Sequence, residues 1–305
     1  MLRFLRRSVA TAFLLFLAVA AGQAQPRSRD DCEVAYPEPW GHSGKDVPWV
    51  PTSETVALAM LSMAQVTPRD LVLDLGAGDG RVAIAAAKAP FGARAVGIEY
   101  DPYLVKRAAC LIQAAGLEDR VRVVEGDIFK EDFGAASVVT LYLLPVLNLC
   151  VRHRLLALEP GTRVVSHQYA MVDWEPDQSV KILGRDVYLW VVPARMDGVW
   201  EFDDSQGTEF TVDLRQTFGA LAGDITRSGV RTAISSATVR GAELRFTFDA
   251  ARVTTKFWGT VRGDEITGVL STGTTARTAV GRLHGELRGG PWAEMPPDCG
   301  RYYDR

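Results

Sequence analysis

The sequence predicts an α/β fold in two parts: a doubly wound, mostly parallel sheet of seven strands, then a small antiparallel all-β barrel or sandwich. Three observations predict it. From residue 52 to about 166, apolar runs of strand length alternate with helical patterns, as in a parallel sheet wrapped by helices. Two further runs, 180–183 and 187–192, are close enough to pair as a hairpin around 184–186 and end the sheet antiparallel. From about residue 197 helical periodicity vanishes, and short alternating runs punctuated by Gly and Asp replace it.

Residues 1–24 read as a leader. Arg3, Arg6 and Arg7 make a basic start, Ala10–Ala21 an apolar block, and small residues follow at plausible cleavage points. The block is shorter than the roughly 20 residues that span a bilayer comfortably. A signal peptide or an N-terminal anchor is expected, placing the remainder in the periplasm or envelope, in possible proximity to a membrane. Residues 25–51 are rich in Pro and polar groups and read as an extended arm. The sheet domain is expected over 52–196. Thr52 is its candidate first N-cap, and Leu71-Val72-Leu73-Asp74-Leu75 suits a strand buried on both faces.

The all-β domain is expected over 197–290, with a tail at 291–305. Its Trp200, Phe202, Phe246, Phe248, Phe257 and Trp258 are read as core. The phrases Gly223-Asp224-Ile225-Thr226 and Gly263-Asp264-Glu265-Ile266-Thr267 echo each other as two similar hairpins. No Cys pair or His has metal-ligand spacing, so no metal site is expected. Cys32 and Cys299 lie in polar tails, where a staple joining the ends is an option. Cys110 and Cys150 lie in apolar helical patterns and read as buried thiols. The formal charge is −3, with 34 Lys and Arg against 37 Asp and Glu, so the footprint of a nucleic-acid binder is missing.

The stretch Asp74-Leu75-Gly76-Ala77-Gly78-Asp79-Gly80 follows a strand and opens a helix. Its glycines allow a sharp turn and a close approach to a ligand. Dinucleotide enzymes use such loops too. Here Asp74 and Asp79 would repel a pyrophosphate and suit a cationic ligand, such as one bearing an α-amino group and a sulfonium. Glu99 ends the second strand, where a carboxylate can hold both ribose hydroxyls. Asp127 ends the third, placed to accept a bond from an adenine amino group.

Together these residues resemble the class I, Rossmann-like S-adenosyl-L-methionine-dependent methyltransferases, over roughly residues 46–195. Finer matches come from Pro48-Trp49-Val50-Pro51-Thr52, from Thr140-Leu141-Tyr142-Leu143-Leu144-Pro145-Val146-Leu147-Asn148, and from Gly161-Thr162-Arg163-Val164-Val165-Ser166-His167. They resemble the bacterial relatives of the mitochondrial lysine methyltransferases of the adenine nucleotide translocase and of the ATP synthase c-subunit. Trp49 and Ser53 stand where that pattern usually has Tyr and Pro. The resemblance implies S-adenosyl-L-methionine as cofactor, held by Thr52, Asp74, Gly76, Gly78, Asp79, Gly80, Glu99 and Asp127. It implies a protein lysine as methyl acceptor, and it implies that Thr52 helps close the site.

Tyr142, just after the fourth strand, lies where this fold places the methyl group; it lines the acceptor channel or packs the core. His167 either relays a proton or is structural. Asn148 is read as a helix-start polar group. A lipid or small-molecule acceptor is the alternative enzyme reading. The leader conflicts with a cytosolic cofactor. The enzyme is supplied with cofactor in its compartment, or it acts before export or from a later start codon, or the domain is a retired enzyme serving as a binding module.

Overall fold

The computed structural model describes residues 28–41, 44–250 and 252–304. The leader expected at 1–24 lies outside the described residues. Among them no helix is long and apolar enough to cross a membrane.

The first seven strands are β1 (Leu71–Leu75), β2 (Arg94–Glu99), β3 (Val121–Glu125), β4 (Val138–Leu141), β5 (Arg163–His167), β6 (Gln178–Ile182) and β7 (Arg185–Val191). They form one sheet in the order β3-β2-β1-β4-β5-β7-β6. The first five run parallel; β7 is antiparallel to β5 and to β6. β6 and β7 join through a two-residue turn, Leu183-Gly184, both at positive φ, as tight hairpins require. Arg185 and Asp186 therefore belong to the strand, not to the expected turn. The chain order reverses between β1 and β4, and in open α/β sheets ligands bind outside the carboxyl ends of the strands at such a point.

The five helices of this part are α1 (Arg29–Ala35), α2 (Glu54–Met63), α3 (Arg81–Ala87), α4 (Pro102–Ala114) and α5 (Pro145–Leu155). Ala83 and Ala86 of α3 cover β1 and β2, and Val56, Met60 and Leu61 of α2 extend the same face over β5 and β7. Leu147, Val151 and Leu155 of α5 cover the other, against Leu73, Leu75 and Val139. The central strands β1, β4 and β5 are buried on both faces, which explains their unbroken apolar runs. The cap of α2 is Ser53, which accepts from Val56 N; Thr52 stands one residue before it and faces the site.

The arm is not extended throughout. Ser28 caps α1 through a capping box with Asp31, a spacing readable in Ser28-Arg29-Asp30-Asp31. The cysteines pair Cys32–Cys110 and Cys150–Cys299, with Cα atoms 5.7 and 5.3 Å apart. The ends are therefore not stapled to each other, and Cys110 and Cys150 are not thiols. Each tail cysteine meets a helix cysteine, because α1 lies on α4 and the C-terminal segment lies on α5. A helical apolar pattern cannot distinguish a buried thiol from half a disulfide.

The remaining strands are β8 (Gly198–Asp204), β9 (Glu209–Thr217), β10 (Ala220–Arg227), β11 (Val230–Arg240), β12 (Glu243–Ala250), β13 (Val253–Arg262), β14 (Glu265–Thr272) and β15 (Thr275–His284). They close into an antiparallel barrel in which β15 pairs with β8. Trp200, Phe202, Phe246 and Phe257 fill it. Trp258 is a correction: it follows the inward Phe257, so the strand's alternation turns it out, and it is 63% exposed. Gly263-Asp264 makes a turn, whereas Gly223-Asp224 lies inside β10. A Cβ at Gly223 would sit 1.9 Å from the Asp213 carbonyl oxygen, so that glycine serves a close strand approach rather than a second hairpin.

The segment after the barrel returns to the sheet domain. Trp292, Cys299 and Tyr302 join the core of Leu73, Val151 and Leu155, so residues 291–304 complete the first domain rather than trail from the second.

Candidate active site

The tips of β1, β2 and β3 converge on one cleft. Its walls include Lys45, Trp49, Thr52, Asp74, Gly76, Glu99, Asp127 and Tyr142, and it encloses about 1000 Å³ counting its open mouth. Asp74, at the tip of β1, is 5% exposed and accepts from Thr140 Oγ1 at 2.7 Å. No cation pairs with it among the described residues. Burial, with smaller repulsion from Glu99 and Asp79 and against the Thr140 bond, pushes its pKa up to about 7.

The loop after β1 turns on Gly76, Gly78 and Gly80, at φ of 73°, 57° and 76°. Side chains rarely adopt this region. Contact enforces one glycine as well: a Cβ at Gly78 would lie 2.3 Å from Trp49 Nε1. Glu99 holds the loop from β2. Its Oε2 accepts from Gly78 N and its Oε1 from Asp101 N, both at 2.8 Å. Burial raises its pKa despite these bonds. Asp127, past β3, accepts from Phe129 N at 3.0 Å, and its other oxygen accepts from Lys45 Nζ at 2.7 Å.

Asp79 departs from its expected role. It accepts from Arg81 Nε at 2.9 Å and Nη2 at 2.7 Å, and Arg107 Nε approaches at 3.5 Å. Two guanidinium groups neutralise it, so it buttresses the loop instead of offering charge to a ligand. Arg107 is 3% exposed, a buried cation on the inward face of α4. Such a residue in an apolar helical pattern is a legible sign of a buried acid partner. Lys45 carries no such sign: its place beside Asp127, 82 residues away, comes only from the fold.

Where Thr52 and Tyr142 line the cleft, Thr52 Oγ1 lies 3.1 Å from His167 Nδ1. The Tyr142 and His167 rings lie 3.9 Å apart, and Tyr169 stacks 6.2 Å beyond Tyr142. Burial raises the Tyr142 pKa, keeping the phenol protonated. Burial, helped by Arg185, lowers that of His167 to about 4, so the imidazole is neutral at pH 7. Its buried Nε2 has no hydrogen-bond partner among the described residues. Asn148 is more than a helix-start group. It is fully buried and its Nδ2 donates to Tyr169 O at 3.1 Å and Ser166 Oγ at 3.3 Å, tying α5 to the turn after β5.

The cleft suits S-adenosyl-L-methionine by its donor set. The unpaired buried carboxyl of Asp74 fits an ammonium, Glu99 fits ribose hydroxyls, and Asp127 fits an amino donor that shares or replaces Lys45. The left-handed glycines leave the loop bare where a ligand would lie against it. The fold and cleft define a class I S-adenosyl-L-methionine-dependent methyltransferase. The chain belongs to the family described as the ANTKMT methyltransferase domain, whose model matches residues 74–178. It is 40% identical to a protein-lysine N-methyltransferase of Saccharolobus islandicus, over 48% of this chain and 94% of that protein. It is 30% identical to the lysine N-methyltransferase of the ATP synthase c-subunit from Xenopus laevis, over 52% of this chain and 63% of that one. Among solved structures, an RNA methyltransferase from Salinibacter ruber in complex with S-adenosyl-L-homocysteine is 47% identical, over 48% of this chain and 96% of that one, at a TM-score of 0.47. These matches each cover about half of this chain or less.

Proposed function

We propose that this chain is a protein-lysine N-methyltransferase acting in the cell envelope. The observation that carries the acceptor is the contrast between the two sides of the cleft. The cofactor side is acidic. The acceptor side presents two stacked tyrosines and a neutral imidazole. A water-poor slot that feels the positive charge of Arg185 favours the neutral amine, which must lose its proton before it attacks. The names of the relatives from Saccharolobus and Xenopus support the same acceptor.

In this reading Asp74, Glu99 and Asp127 hold the amino, ribose and adenine ends of the cofactor, and Thr52 closes over it. When bound, the cofactor supplies a methyl group on a sulfonium that leaves as a neutral thioether. Tyr142 and Tyr169 wall the acceptor channel. With its Nδ1–H donated to Thr52 Oγ1, His167 presents a lone pair at Nε2. An imidazole whose pKa is near 4 does not keep a proton at pH 7. It therefore orients the amine as a hydrogen-bond acceptor, and the proton leaves through the open mouth.

Placement outside the cytosol is supported by the leader pattern and by the pairing of all four cysteines, since disulfides persist in oxidising compartments. The net negative charge favours a protein acceptor over a nucleic acid. The test is methyl transfer from radiolabelled S-adenosyl-L-methionine into an envelope fraction, followed by acid hydrolysis. Label in methyllysine supports the proposal; label in lipid, RNA or other amino acids refutes it.

A further inference from the structure

Residues 44–51 of the arm form one wall of the cleft. The arm reaches three separate strand tips. Lys45 Nζ binds Asp127 beyond β3, Trp49 lies on Gly78 beyond β1, and the arm delivers Thr52 to His167 of β5. Its own turns are closed by Gly41 N to Trp49 O at 2.9 Å and Gly44 N to Val47 O at 3.0 Å. Ahead of that wall, the arm ties down both arginines that hold Asp79 of the glycine loop. Arg107 Nη1 donates to Tyr36 O, and Arg81 pairs with Glu38 and with Thr52 O. Tyr103 of α4 donates to Pro37 O at 2.7 Å.

Ahead of Tyr36, which also packs its ring 6.0 Å from that of Tyr103, the arm begins with a short helix. The seven-residue α1 has a single buried residue, Cys32. Val34 and Trp40 are largely exposed. A helix this short has little stability of its own. Its covalent attachment to α4 is the disulfide from Cys32 to Cys110. The second disulfide sits elsewhere, between α5 and the C-terminal segment.

We propose that the Cys32–Cys110 disulfide is a thiol-sensitive clamp on the S-adenosyl-L-methionine cleft: it keeps the arm closed over the cofactor, and its reduction lets the arm go. A dithiol gives two electrons and two protons to the bond, yielding two thiols while becoming a disulfide itself. With α1 free, the Tyr36 and Glu38 contacts to Arg107 and Arg81 loosen, and so does the wall of Lys45 and Trp49. Cofactor is then held loosely in a reducing compartment and firmly in an oxidising one.

The clamp rests on the cleft being the cofactor site, so binding of S-adenosyl-L-homocysteine to the oxidised full chain is measured first. No binding there refutes the site itself. The Cys32→Ser/Cys110→Ser and Cys150→Ser/Cys299→Ser variants are then compared by calorimetry and hydrogen exchange. If the closed arm falls to about a tenth of the population, apparent affinity falls about tenfold. The arm variant is expected to show that loss, with faster exchange over 36–52 and unchanged exchange in β1 to β5. The other variant is expected to bind within about twofold of wild type, a small shift on the scale of distant sites. Equal affinity of the arm variant and wild type overturns the clamp. Should the arm variant not fold, the Cys150→Ser/Cys299→Ser variant, whose one disulfide is Cys32–Cys110, is measured by the same exchange before and after reduction with a dithiol. Loosening confined to the arm supports the clamp, and exchange rising across the whole sheet overturns it.

Discussion

Lowering the pH should weaken cofactor binding through Asp74. Its pKa of about 7 lies above the 3.8 of an ordinary aspartate because the carboxyl is buried with one hydroxyl donor. The protonated form therefore stabilises the ligand-free fold. That contribution is complete below pH 3.8 and is lost as pH rises through 7. A ligand ammonium requires the ionised form, so binding must first remove the proton. At pH 6 about a tenth of the protein is ionised, and affinity falls about tenfold, or ~1.4 kcal/mol; at pH 5 it falls about a hundredfold. The ligand's own α-amino group gains a proton over part of this range, which opposes the trend, but it is almost fully protonated below pH 7 and cannot cancel the slope there. The raised Glu99 acts in the same direction, so Asp74→Asn is needed to isolate Asp74. The assay is isothermal titration with S-adenosyl-L-homocysteine from pH 8 to 5, in buffers of different ionisation enthalpy that count the protons released. Wild type should release close to one proton at pH 6, and Asp74→Asn should bind weakly and release fewer. Equal affinity at pH 8 and 5.5, or an Asn variant with the wild-type slope, would refute the reasoning.

Glu99→Gln should weaken cofactor binding by about 1–3 kcal/mol, since it removes a charged partner and loosens the Gly78 amide it holds; equilibrium dialysis reads this directly. His167→Asn should lower kcat by about tenfold, the worth of one orienting hydrogen bond, while leaving cofactor affinity within about twofold. Unchanged single-turnover rates would make His167 structural. Tyr142→Phe should alter kcat little, because the ring rather than the protonated phenol walls the channel, whereas Tyr142→Ala should raise KM for the acceptor. The Cys150→Ser/Cys299→Ser variant should lose stability, because its disulfide closes 149 residues. Loop-closure entropy sets an upper value of ~5 kcal/mol. Differential scanning calorimetry should show the sheet domain melting earlier and the barrel largely unmoved.

The strand-tip acids were legible because chemistry and spacing coincide: buried apolar runs must end where polar groups begin, and in parallel sheets those ends share one edge. Asp74, Glu99 and Asp127 follow from that alone. Asp79 did not, because its partners Arg81 and Arg107 arrive on two different helices, and a sequence shows a carboxylate without its counterions. The arm was harder still. Its polar, proline-rich composition says only that it is no helix of ordinary length, and its role over the cleft rests on Lys45, Trp49 and Cys32 meeting residues 29 to 82 positions away. The barrel was readable as all-β from alternation, but Trp258 required the register. One step from Phe257 decides inside from outside, and both neighbours are aromatic.

A crystal structure of the oxidised chain with S-adenosyl-L-homocysteine bound tests the central claim most directly. The account predicts ribose hydroxyls on Glu99, the adenine amino group on Asp127 beside or in place of Lys45, and the ammonium near Asp74, all beneath Trp49. A ligand bound elsewhere, or one that leaves these three carboxylates untouched, would contradict it.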